Sequence, residues 1–449
     1  MKEILKEIIL DFQELDLPTG VLRKVEITPV DGKATVCIGV RRSGKSTFMF
    51  QIIKRLLVAG TPRQNILYLN FFDDRLHSLQ HETLGIITEV YYSLYPNKKS
   101  TEKVYCFFDE IQVIPDWEKF IDRMMRTEKC EIYITGSSAQ MLSREIATQM
   151  RGRALSWEMF PFSFQEFLDF KGIETPESLS TKNRLKIQKA FEEYWHTGGF
   201  PEVAGLNRML QIKTHQEYFN AMLFRDLIER HDIAHPKAIK DLAHWLADNT
   251  ASLYSINNLT GYLKSLWHKV PKTAVADYLE WFEDAYIFFS VRIFDASLAR
   301  SNTNPKKIYC IDHALVTSVS SGILVNSGHL LENLVFIALR RITPDIWYYK
   351  TKAGRGVDFI VQQQNRSRIL VQVSESLAES QTRKREITAL SEAMAELKLT
   401  EGIIVTRRDD EQIQVKAGTI NVLPAWRFML NLSHGGYTAE QKATENRNP

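Results

Sequence analysis

The sequence predicts an α/β protein of several domains, with a parallel sheet near its start, a mainly helical middle and a second α/β region near its end. At 449 residues the chain exceeds the roughly 250–300 residues beyond which a single core usually divides. Residues 34–50 read as an apolar strand, a glycine-containing turn and the start of an apolar helix. In residues 358–376, two apolar strands flank a short polar turn. We therefore expect domains at 1–170, 171–300 and 301–430, followed by a disordered tail at 431–449.

Composition and charge narrow the class of protein. With 44% hydrophobic and 25% charged residues, the chain is typical of globular proteins. A net charge of +3 means that a nucleic-acid partner would need a local basic patch. The four cysteines form no CxxC pair, and the histidines form no HExxH motif, so we expect reduced thiols and no structural zinc. The N-terminus does not read as a secretory signal and no apolar run reaches the ~18–20 residues that span a bilayer, so we expect a cytoplasmic protein without a membrane partner.

The first motif with clear chemistry is a phosphate-binding loop. The segment from Gly39 to Ser46 fits the pattern GxxxxGK[ST]. Its glycines allow the backbone to wrap a polyphosphate, Lys45 would reach the β- and γ-phosphates of ATP, and the Ser46 hydroxyl would hold Mg²⁺. The alternative is a chance match on an ordinary glycine turn, and the strand before and the helix after argue against it. The predicted nucleotide-binding residues are Gly39, Val40, Arg41, Arg42, Ser43, Gly44, Lys45, Ser46 and Thr47.

A second motif supports the first. Residues 104–111, VYCFFDEI, form a buried-strand pattern that ends in two carboxylates. Ligands gather at the carboxyl ends of parallel strands, so Asp109 would lie near Mg²⁺, bound mostly through water. Glu110 would polarise the water that attacks the γ-phosphate. The alternative is a charged strand end that is merely solvated. Together the two motifs predict ATP and Mg²⁺ as cofactors.

Further segments extend these motifs along the chain. They are GVRRSGKST (39–47), FFDEIQ (107–112), TGSSAQML (135–142), RGRALSWEMFPFSFQEF (151–167), GGFPEV (198–203), FRDLIER (224–230), GHLLENLVF (328–336) and GVDFIV (356–361). With these segments the chain resembles, over nearly its whole length, bacterial and archaeal AAA+ ATPases that carry a C-terminal domain of unknown function with a nuclease-like fold. The resemblance implies a P-loop AAA+ ATPase module with a parallel sheet, followed by a C-terminal α/β nuclease-like domain.

The resemblance also implies roles for residues after the sheet. The hydroxyl of Ser137 or Ser138 would sense the γ-phosphate, although each could be only a turn residue. Arg151 or Arg153 would reach the γ-phosphate of a neighbouring subunit and stabilise the charge that develops in the transition state. Such an arginine would make hydrolysis depend on assembly, so we expect a homo-oligomer. The alternative is that Arg153 holds the following strand through an intrachain salt bridge.

The middle of the chain resembles a winged helix-turn-helix. Residues 237–294 read as three helices followed by a strand pair. If this region binds DNA, the third helix would bring Lys269, Lys272 and Thr273 near phosphates or base edges. Against this, the same helix carries four acidic residues that would repel phosphates: Asp277, Glu280, Glu283 and Asp284. The alternative is a winged helix that docks protein.

The C-terminal region contains an incomplete set of nuclease residues. A nuclease of the PD-(D/E)xK kind needs carboxylates that bind a divalent metal and a lysine that positions the attacking water. Glu332, Asp358 and Gln372 fill the metal-side positions, but Ser374 stands at the lysine position and carries no charge. A lysine could arrive from elsewhere, with three candidates: Lys350, Lys352 and Lys384. We therefore expect a nuclease-like remnant that has lost cleavage.

These observations leave three functions open. The first is an ATP-driven protein that binds or remodels duplex or branched DNA through its nuclease-like domain. Between residues 350 and 409 there are eleven Lys or Arg against eight Asp or Glu, a modest basic excess that would suit phosphate binding or a solvated helix face. The second is a nucleotide-controlled switch or scaffold that binds a protein partner. The third, ranked lowest, is an ATP-dependent nuclease.

Overall fold

A computed structural model describes residues 1–81, 84–137, 152–176, 180–323, 326–363 and 365–433. The chain divides into two compact units, residues 1–161 with 284–286, and residues 162–283 with 287–449. Some sequence predictions lie outside the described residues. They concern Ser138, Arg151 and the tail from residue 434 onward.

The first unit is built on a five-stranded sheet. Its strands are β1 (Ala34–Ile38), β2 (Ile66–Asn70), β3 (Val104–Asp109), β4 (Cys130–Gly136) and β5 (Ala154–Glu158). Its α-helices within the described residues are α1 (Lys2–Glu14), α2 (Lys45–Val58), α3 (Gly85–Leu94) and α4 (Trp117–Thr127). Short 3-10 turns lie at Arg63–Asn65, Asp74–His81, Pro96–Lys98 and Ile111–Val113.

This sheet is parallel throughout, in the order β2-β3-β4-β1-β5. Strand β1 is buried along its whole length, as its continuous apolar sequence predicts for a parallel strand covered on both faces. The register sets Asn70 opposite Asp109, at the carboxyl ends of β2 and β3. The predicted α/β fold with a parallel P-loop sheet is therefore confirmed, and its carboxyl edge carries the polar residues.

The segment that precedes β1 packs on the helix that follows it. The side-chain nitrogen of Gln51 in α2 donates hydrogen bonds to the carbonyls of Thr19 and Val21, at 2.6 and 2.7 Å. Phe12 of α1 stacks on Tyr68 of β2, with ring centroids 5.3 Å apart. The hydrogen bonds of Gln51 hold this segment against α2, and the contact of Phe12 holds α1 against β2.

The second unit begins with helices. Those before residue 285 are α5 (Phe164–Phe170), α6 (Thr181–Thr197), α7 (Arg208–Ala221), α8 (Pro236–Asp248), α9 (Ile256–Ser265) and α10 (Lys272–Asp284). A π-helix (Met222–Glu229) continues α7, and a 3-10 turn lies at Val203–Gly205. Ser163 and Glu166 form a capping box at the start of α5, which satisfies two backbone N–H groups that a helix end leaves open.

The rest of the second unit is α/β. Its strands are β6 (Leu253–Tyr254), β7 (Phe288–Val291), β8 (Lys306–Cys310), β9 (Ile346–Lys350), β10 (Gly356–Gln362), β11 (Arg368–Val373), β12 (Glu401–Thr406), β13 (Glu411–Val415) and β14 (Gly418–Pro424). Its remaining helices within the described residues are α11 (Leu298–Thr303), α12 (His313–Val319), α13 (Ser327–Arg340), α14 (Ser380–Leu397) and α15 (Ala425–Ser433).

These strands form two sheets. The larger has six strands in the order β13-β14-β12-β11-β10-β9, with β11-β12 and β12-β14 parallel and the other pairs antiparallel. The smaller has three antiparallel strands in the order β6-β8-β7, so it draws strands from both sides of residue 300. An isolated parallel bridge joins Ile293, two residues after β7, to Tyr348 of β9.

The three predicted middle helices are present as α8, α9 and α10. The strand pair predicted after them is wrong in one respect. Only β7 lies within residues 286–294, and it pairs with β8 from farther along the chain. Strand pairing joins residues distant in sequence, so the apolar pattern of β7 does not reveal its partner.

Candidate functional site

The nine predicted nucleotide-binding residues form the loop between β1 and α2 and the first three residues of α2, and the backbone of the loop requires glycine. Gly39 has φ +152°, and a Cβ placed on it would lie 2.1 Å from the carbonyl oxygen of Met159. Gly44 has φ +96° and precedes the first residue of α2. Arg42 also has positive φ, at 67°. The loop thus leads directly into the N-terminus of α2, where unpaired backbone N–H groups favour anions.

Lys45 is the first residue of α2, and its side chain is 4% exposed. Its ammonium donates hydrogen bonds to the carbonyl oxygens of Gly39 and Val40, at 3.0 and 3.1 Å. The same nitrogen lies 3.7 Å from Oε1 of Glu110. The P-loop lysine and the carboxylate of the residue that follows β3 therefore share one buried centre.

Asp109 is held by hydrogen bonds from neighbouring strands. Its Oδ1 accepts a short hydrogen bond from the Thr135 hydroxyl, and its Oδ2 accepts one from Tyr68 at 3.0 Å. Burial, and then the adjacent Glu110 carboxylate, raise the pKa of Asp109, while hydrogen bonds from Thr135, Ser46 and Tyr68 oppose the rise. A buried carboxylate next to a second carboxylate favours a nearby cation.

Glu110 adopts a strained backbone conformation. Its φ and ψ are 55° and 39°, in the left-handed region, which raises the energy of a non-glycine residue by about 1–3 kcal/mol. The Glu110 N–H donates to the Thr135 hydroxyl oxygen at 3.0 Å. Its Oε2 accepts a hydrogen bond from the Gln112 side chain at 2.5 Å. The sequence prediction missed Gln112 as a partner, although FFDEIQ places it two residues after Glu110.

Several buried polar atoms at this edge of the sheet have no hydrogen-bond partner among the described residues. They include the hydroxyls of Ser43 and Ser137 and the side-chain oxygen of Gln112. Ser43 lies in the P-loop, and Ser137 follows β4 directly. Buried polar groups are normally hydrogen-bonded, so these atoms fit a polar ligand. The donors of the loop suit phosphate, while the Ser46 hydroxyl and the Asp109 carboxylate suit Mg²⁺.

An arginine that the sequence prediction missed supports the loop from outside. Arg23 donates to the carbonyl oxygen of Ser43 at 2.5 Å and to that of Phe160 at 2.6 Å. Arg41 stacks over Phe72, with its guanidinium carbon 5.4 Å from the ring centroid. Arg23 lies in an irregular segment without a motif, so local sequence gave no signal for its contact with the P-loop.

Arg153 forms an ion pair within the chain. Its Nη1 lies 2.9 Å from Oδ1 of Asp122, in a pair that is half-exposed. Asp122 also pairs with Arg126, at 2.6 Å. The contact with Asp122 favours the salt-bridge interpretation of Arg153 over the trans-acting one.

A second buried cluster of charged side chains lies in the second unit. The Lys307 ammonium, on β8, lies 2.7 Å from Oε1 of Glu332 and 2.8 Å from Oδ1 of Asp358. The Tyr309 hydroxyl donates to the same Glu332 oxygen at 2.7 Å. The structure thus brings Glu332 and Asp358 together, as predicted. The lysine beside them is one that the sequence analysis did not consider.

The three lysines suggested for this place are exposed: Lys350, Lys352 and Lys384. The hydrogen bonds to Glu332 and Asp358 come from Lys307, so a migrated lysine among these three stays a prediction. They lie at a strand end, in a turn and on a helix surface, where the side chain reaches solvent without loss of hydration. Lys307 was overlooked because β8 belongs to the smaller sheet and its sequence, KKIYC, shows no nuclease motif.

The remaining predicted residues extend this cluster. The Val373 N–H donates to Asp358 Oδ2 at 2.9 Å, and the Asp358 N–H donates to Gln372 Oε1 at 3.2 Å. Gln372 in turn donates to Glu386 at 2.8 Å. The Ser374 hydroxyl instead donates to the Ser376 carbonyl at 3.2 Å. Gln372 thus joins the network, while Ser374 bonds locally.

The pKa shifts follow the burial of the cluster. Burial, and then the Asp358 carboxylate, raise the pKa of Glu332 above its ordinary value. Burial acts to lower the pKa of Lys307, but Asp358 and Glu332 more than offset it, so that pKa also lies above its ordinary value. Lys307 therefore carries a stable positive charge between the two acids.

The described residues contain neither a metal-binding cluster nor a membrane helix. In that part of the chain no group of three or more His, Cys, Asp or Glu side chains is placed to hold a metal. Across the same ranges, no helix is long and apolar enough to cross a membrane.

Three domain families match the chain. Residues 31–168 match a family described as an AAA domain. Residues 188–323 and 327–428 match two domains of unknown function, DUF8612 and DUF4143. The first match covers the P-loop, both carboxylates that end β3 and the strand β5.

Similar proteins occur in an archaeon and a bacterium. An uncharacterized protein of Haemophilus influenzae is 29% identical over 351 residues, covering 77% of this chain and 83% of its own. The structure of Aeropyrum pernix Orc1 in complex with DNA is 13% identical with a TM-score of 0.32, covering 71% of this chain and 90% of that one. A likeness at this level does not extend to the ligand of that protein.

An uncharacterized protein of Methanocaldococcus jannaschii is 34% identical over 440 residues, covering 96% of each chain. This chain therefore belongs to the same family as the Methanocaldococcus jannaschii protein, and it carries an AAA domain at residues 31–168.

Proposed function

We propose that this AAA protein hydrolyses Mg-ATP and couples the reaction to the binding or remodelling of DNA. The observation that carries the ATPase proposal is the shared buried centre of Lys45, Asp109 and Glu110 at the carboxyl edge of a parallel sheet. An ammonium beside two carboxylates suits phosphoryl transfer, which depends on positioning and on charge stabilisation.

Each residue of the centre has a distinct role in this proposal. The P-loop N–H groups and Lys45 bind the phosphates, and the Ser46 hydroxyl and Asp109 hold Mg²⁺, which neutralises charge on the phosphates when bound. Glu110 accepts a proton from the attacking water. Gln112 holds the Glu110 carboxylate in place through its 2.5 Å hydrogen bond. The Ser137 hydroxyl, buried without a partner among the described residues, would contact the γ-phosphate.

The proposal includes assembly into a homo-oligomer in which Arg151 or Arg153 of one subunit completes the site of another. The ion pair between Arg153 and Asp122 joins side chains that are 45% and 23% exposed, and such pairs contribute about 0–1 kcal/mol. Exchange of Asp122 for a phosphate would therefore require little energy.

A pair of matched substitutions separates the two roles of Arg153. If Arg153 acts in trans, Arg153→Gln should lower the rate of ATP hydrolysis by about 10³-fold or more, because the transition-state charge loses its partner. Asp122→Asn breaks the same ion pair from the other side and should leave the rate nearly unchanged. The measurement is steady-state ATPase activity of the assembled protein. Equal and small effects of both substitutions would restrict Arg153 to its intrachain role and leave Arg151 as the candidate.

We propose that residues 301–430 form a nuclease-like domain that binds DNA without cleaving it. The support is the position of Lys307, whose ammonium lies within hydrogen-bonding distance of both Glu332 and Asp358. Those oxygens would otherwise be free to bind a divalent metal, which a nuclease of this kind needs. An internal ammonium satisfies their charge, so a metal would have to displace a buried and hydrogen-bonded lysine.

The second candidate function is a nucleotide-controlled switch that binds protein, and one experiment separates it from the DNA proposal. ATPase activity of the purified protein is measured alone and with single-stranded, duplex or branched DNA. Coupling to DNA should raise the rate several-fold with at least one of these structures, and the rise should fall steeply with added salt because phosphate contacts release counterions. A flat rate with every DNA at low salt would count against DNA coupling and favour the switch.

A further inference from the structure

The turn between α9 and α10 combines an exposed aromatic ring with a local excess of positive charge. Trp267 is 92% exposed, in a chain whose other large aromatic residues are mostly buried. Between Asn249 and Ala276 the sequence contains no acidic residue but has three lysines and a histidine: Lys264, His268, Lys269 and Lys272. We call residues 264–272 the Trp267 tip.

Trp267 has a backbone conformation that glycine would adopt more easily. Its N–H donates to the Lys264 carbonyl at 3.0 Å, and the His268 N–H donates to the Leu263 carbonyl at 3.0 Å. This pair of hydrogen bonds is the Schellman motif that ends a helix, and Trp267 occupies the left-handed position where glycine is usual. Its φ is +64°. Neither burial nor backbone preference therefore explains a tryptophan here.

A glycine in α9 is also not explained by the local structure. Gly261 lies in the middle of the helix, where glycine destabilises relative to alanine. A Cβ at Gly261 would meet no atom within 4 Å, so the packing of this chain does not require glycine. Gly261 lines a cleft together with Lys264 and Lys272, one residue from each side of the turn. The cleft is therefore open at Gly261, and Lys264 and Lys272 contribute positive charge to its lining.

The tip is held in a fixed shape. His268 Nε2 lies 2.6 Å from Asp241 Oδ2 of α8, which anchors the turn to the neighbouring helix. Val270 is buried, and Pro271 precedes the first residue of α10. Of the four acids in α10 expected to repel phosphate, the last is buried. The exposed ones begin at Asp277, more than a helical turn beyond Lys272.

We propose that the Trp267 tip binds single-stranded nucleic acid, with an unpaired base stacked on the Trp267 ring and the flanking phosphates bound by Lys264 and Lys272. This inference rests on the proposed DNA-binding function and adds to it a surface for single strands, outside the nuclease-like domain. A base offers an aromatic face and the backbone offers negative charge, so the ligand matches both features of the tip. A protein partner would have to supply an apolar pocket and acidic groups at the same spacing.

The test uses the full-length protein and fluorescently labelled oligo-dT, with binding followed by anisotropy. Trp267→Gly removes the ring and relieves the positive φ, so the variant should melt at the same temperature as the native protein or higher. It should bind oligo-dT about 5- to 140-fold more weakly, because base stacking on an aromatic ring contributes that much to affinity. Trp267→Tyr should retain most of the affinity.

The charges are tested separately. The double variant Lys264→Gln, Lys272→Gln should reduce the slope of log affinity against log salt by about 1.4, or about 0.7 for each phosphate that the variant no longer binds. ATPase activity without DNA should be unchanged in all these variants.

The binding measurements separate a failure of this inference from a failure of the proposed DNA function. Native protein that binds oligo-dT no more tightly than its Trp267→Gly variant does would overturn this inference and leave the proposed DNA function intact. Equal oligo-dT affinity of the native protein and the Lys264→Gln, Lys272→Gln variant would also overturn it, because the phosphates would then be bound elsewhere. If the native protein binds neither oligo-dT nor duplex at low salt, both this inference and the DNA part of the proposed function fail, while the ATPase proposal stands.

Discussion

Glu110→Gln is expected to lower the rate of ATP hydrolysis by about 100- to 10,000-fold, the usual contribution of a positioned general base. ATP affinity should stay within a few-fold of the native value, since Lys45 and the P-loop N–H groups remain in place. The amide is nearly isosteric with the carboxylate and keeps a side-chain oxygen that can accept the hydrogen bond from Gln112. The measurements are steady-state ATPase activity and equilibrium binding of a fluorescent ATP analogue.

A matched control is available on the adjacent strand. Glu131 lies near the amino end of β4 and pairs with Lys103, away from the carboxyl edge of the sheet. Glu131→Gln should leave both hydrolysis and binding unchanged. Native-like turnover by Glu110→Gln would remove Glu110 from the mechanism and require another base.

Lys307→Met is expected to destabilise the protein by about 3–5 kcal/mol, because it leaves two buried carboxylates without their cation. Methionine has a similar length, so the change removes charge with little change in volume. The side chains of Lys307, Glu332 and Asp358 are only 15%, 10% and 13% exposed, so water replaces the lost ammonium poorly. The measurement is urea unfolding of the native and variant proteins.

A control variant, a change of pH and added metal test whether the loss of stability comes from the unpaired carboxylates. Lys384→Met removes an exposed lysine and should change stability by less than about 0.5 kcal/mol. The loss in Lys307→Met should shrink as the pH is lowered, since the carboxylates then take up protons. It should also shrink when Mn²⁺ is added, because the two carboxylates can then bind the metal in place of the ammonium. A Lys307→Met protein as stable as the native one, at neutral pH and without metal, would contradict the ion cluster.

The two buried centres differ in how far the sequence could reveal them. The P-loop spans eight consecutive residues, and its glycines, lysine and serine all act through local backbone geometry. FFDEI adds a strand whose register with its neighbours follows from parallel pairing. By contrast, Lys307 precedes Glu332 by 25 residues and Asp358 by 51. No local pattern marks a residue whose contacts depend on how two sheets pack.

In the middle of the chain, the sequence likewise predicts some features and not others. Pro271 and the N-cap Ser255, whose side chain accepts from the Asn258 N–H, predict the helix starts of this region well. The sequence also shows that Lys269 and Lys272 lie near the third helix. It does not show that Trp267 is exposed, since an aromatic residue in an apolar stretch such as YLKSLW is more often buried.

By itself, the sequence determined the α/β class, the parallel P-loop sheet and the positions of Lys45, Asp109 and Glu110, because periodicity and short motifs act over a few residues. Only the tertiary structure decided that Arg23 and Gln112 support those residues, that Arg153 pairs with Asp122 and that Lys307 lies between Glu332 and Asp358. Except for the local contact of Gln112 with Glu110, these contacts join side chains that are distant in sequence, and their energies come from burial. A single sequence records which charges a chain contains, but burial decides which of those charges must be neutralised.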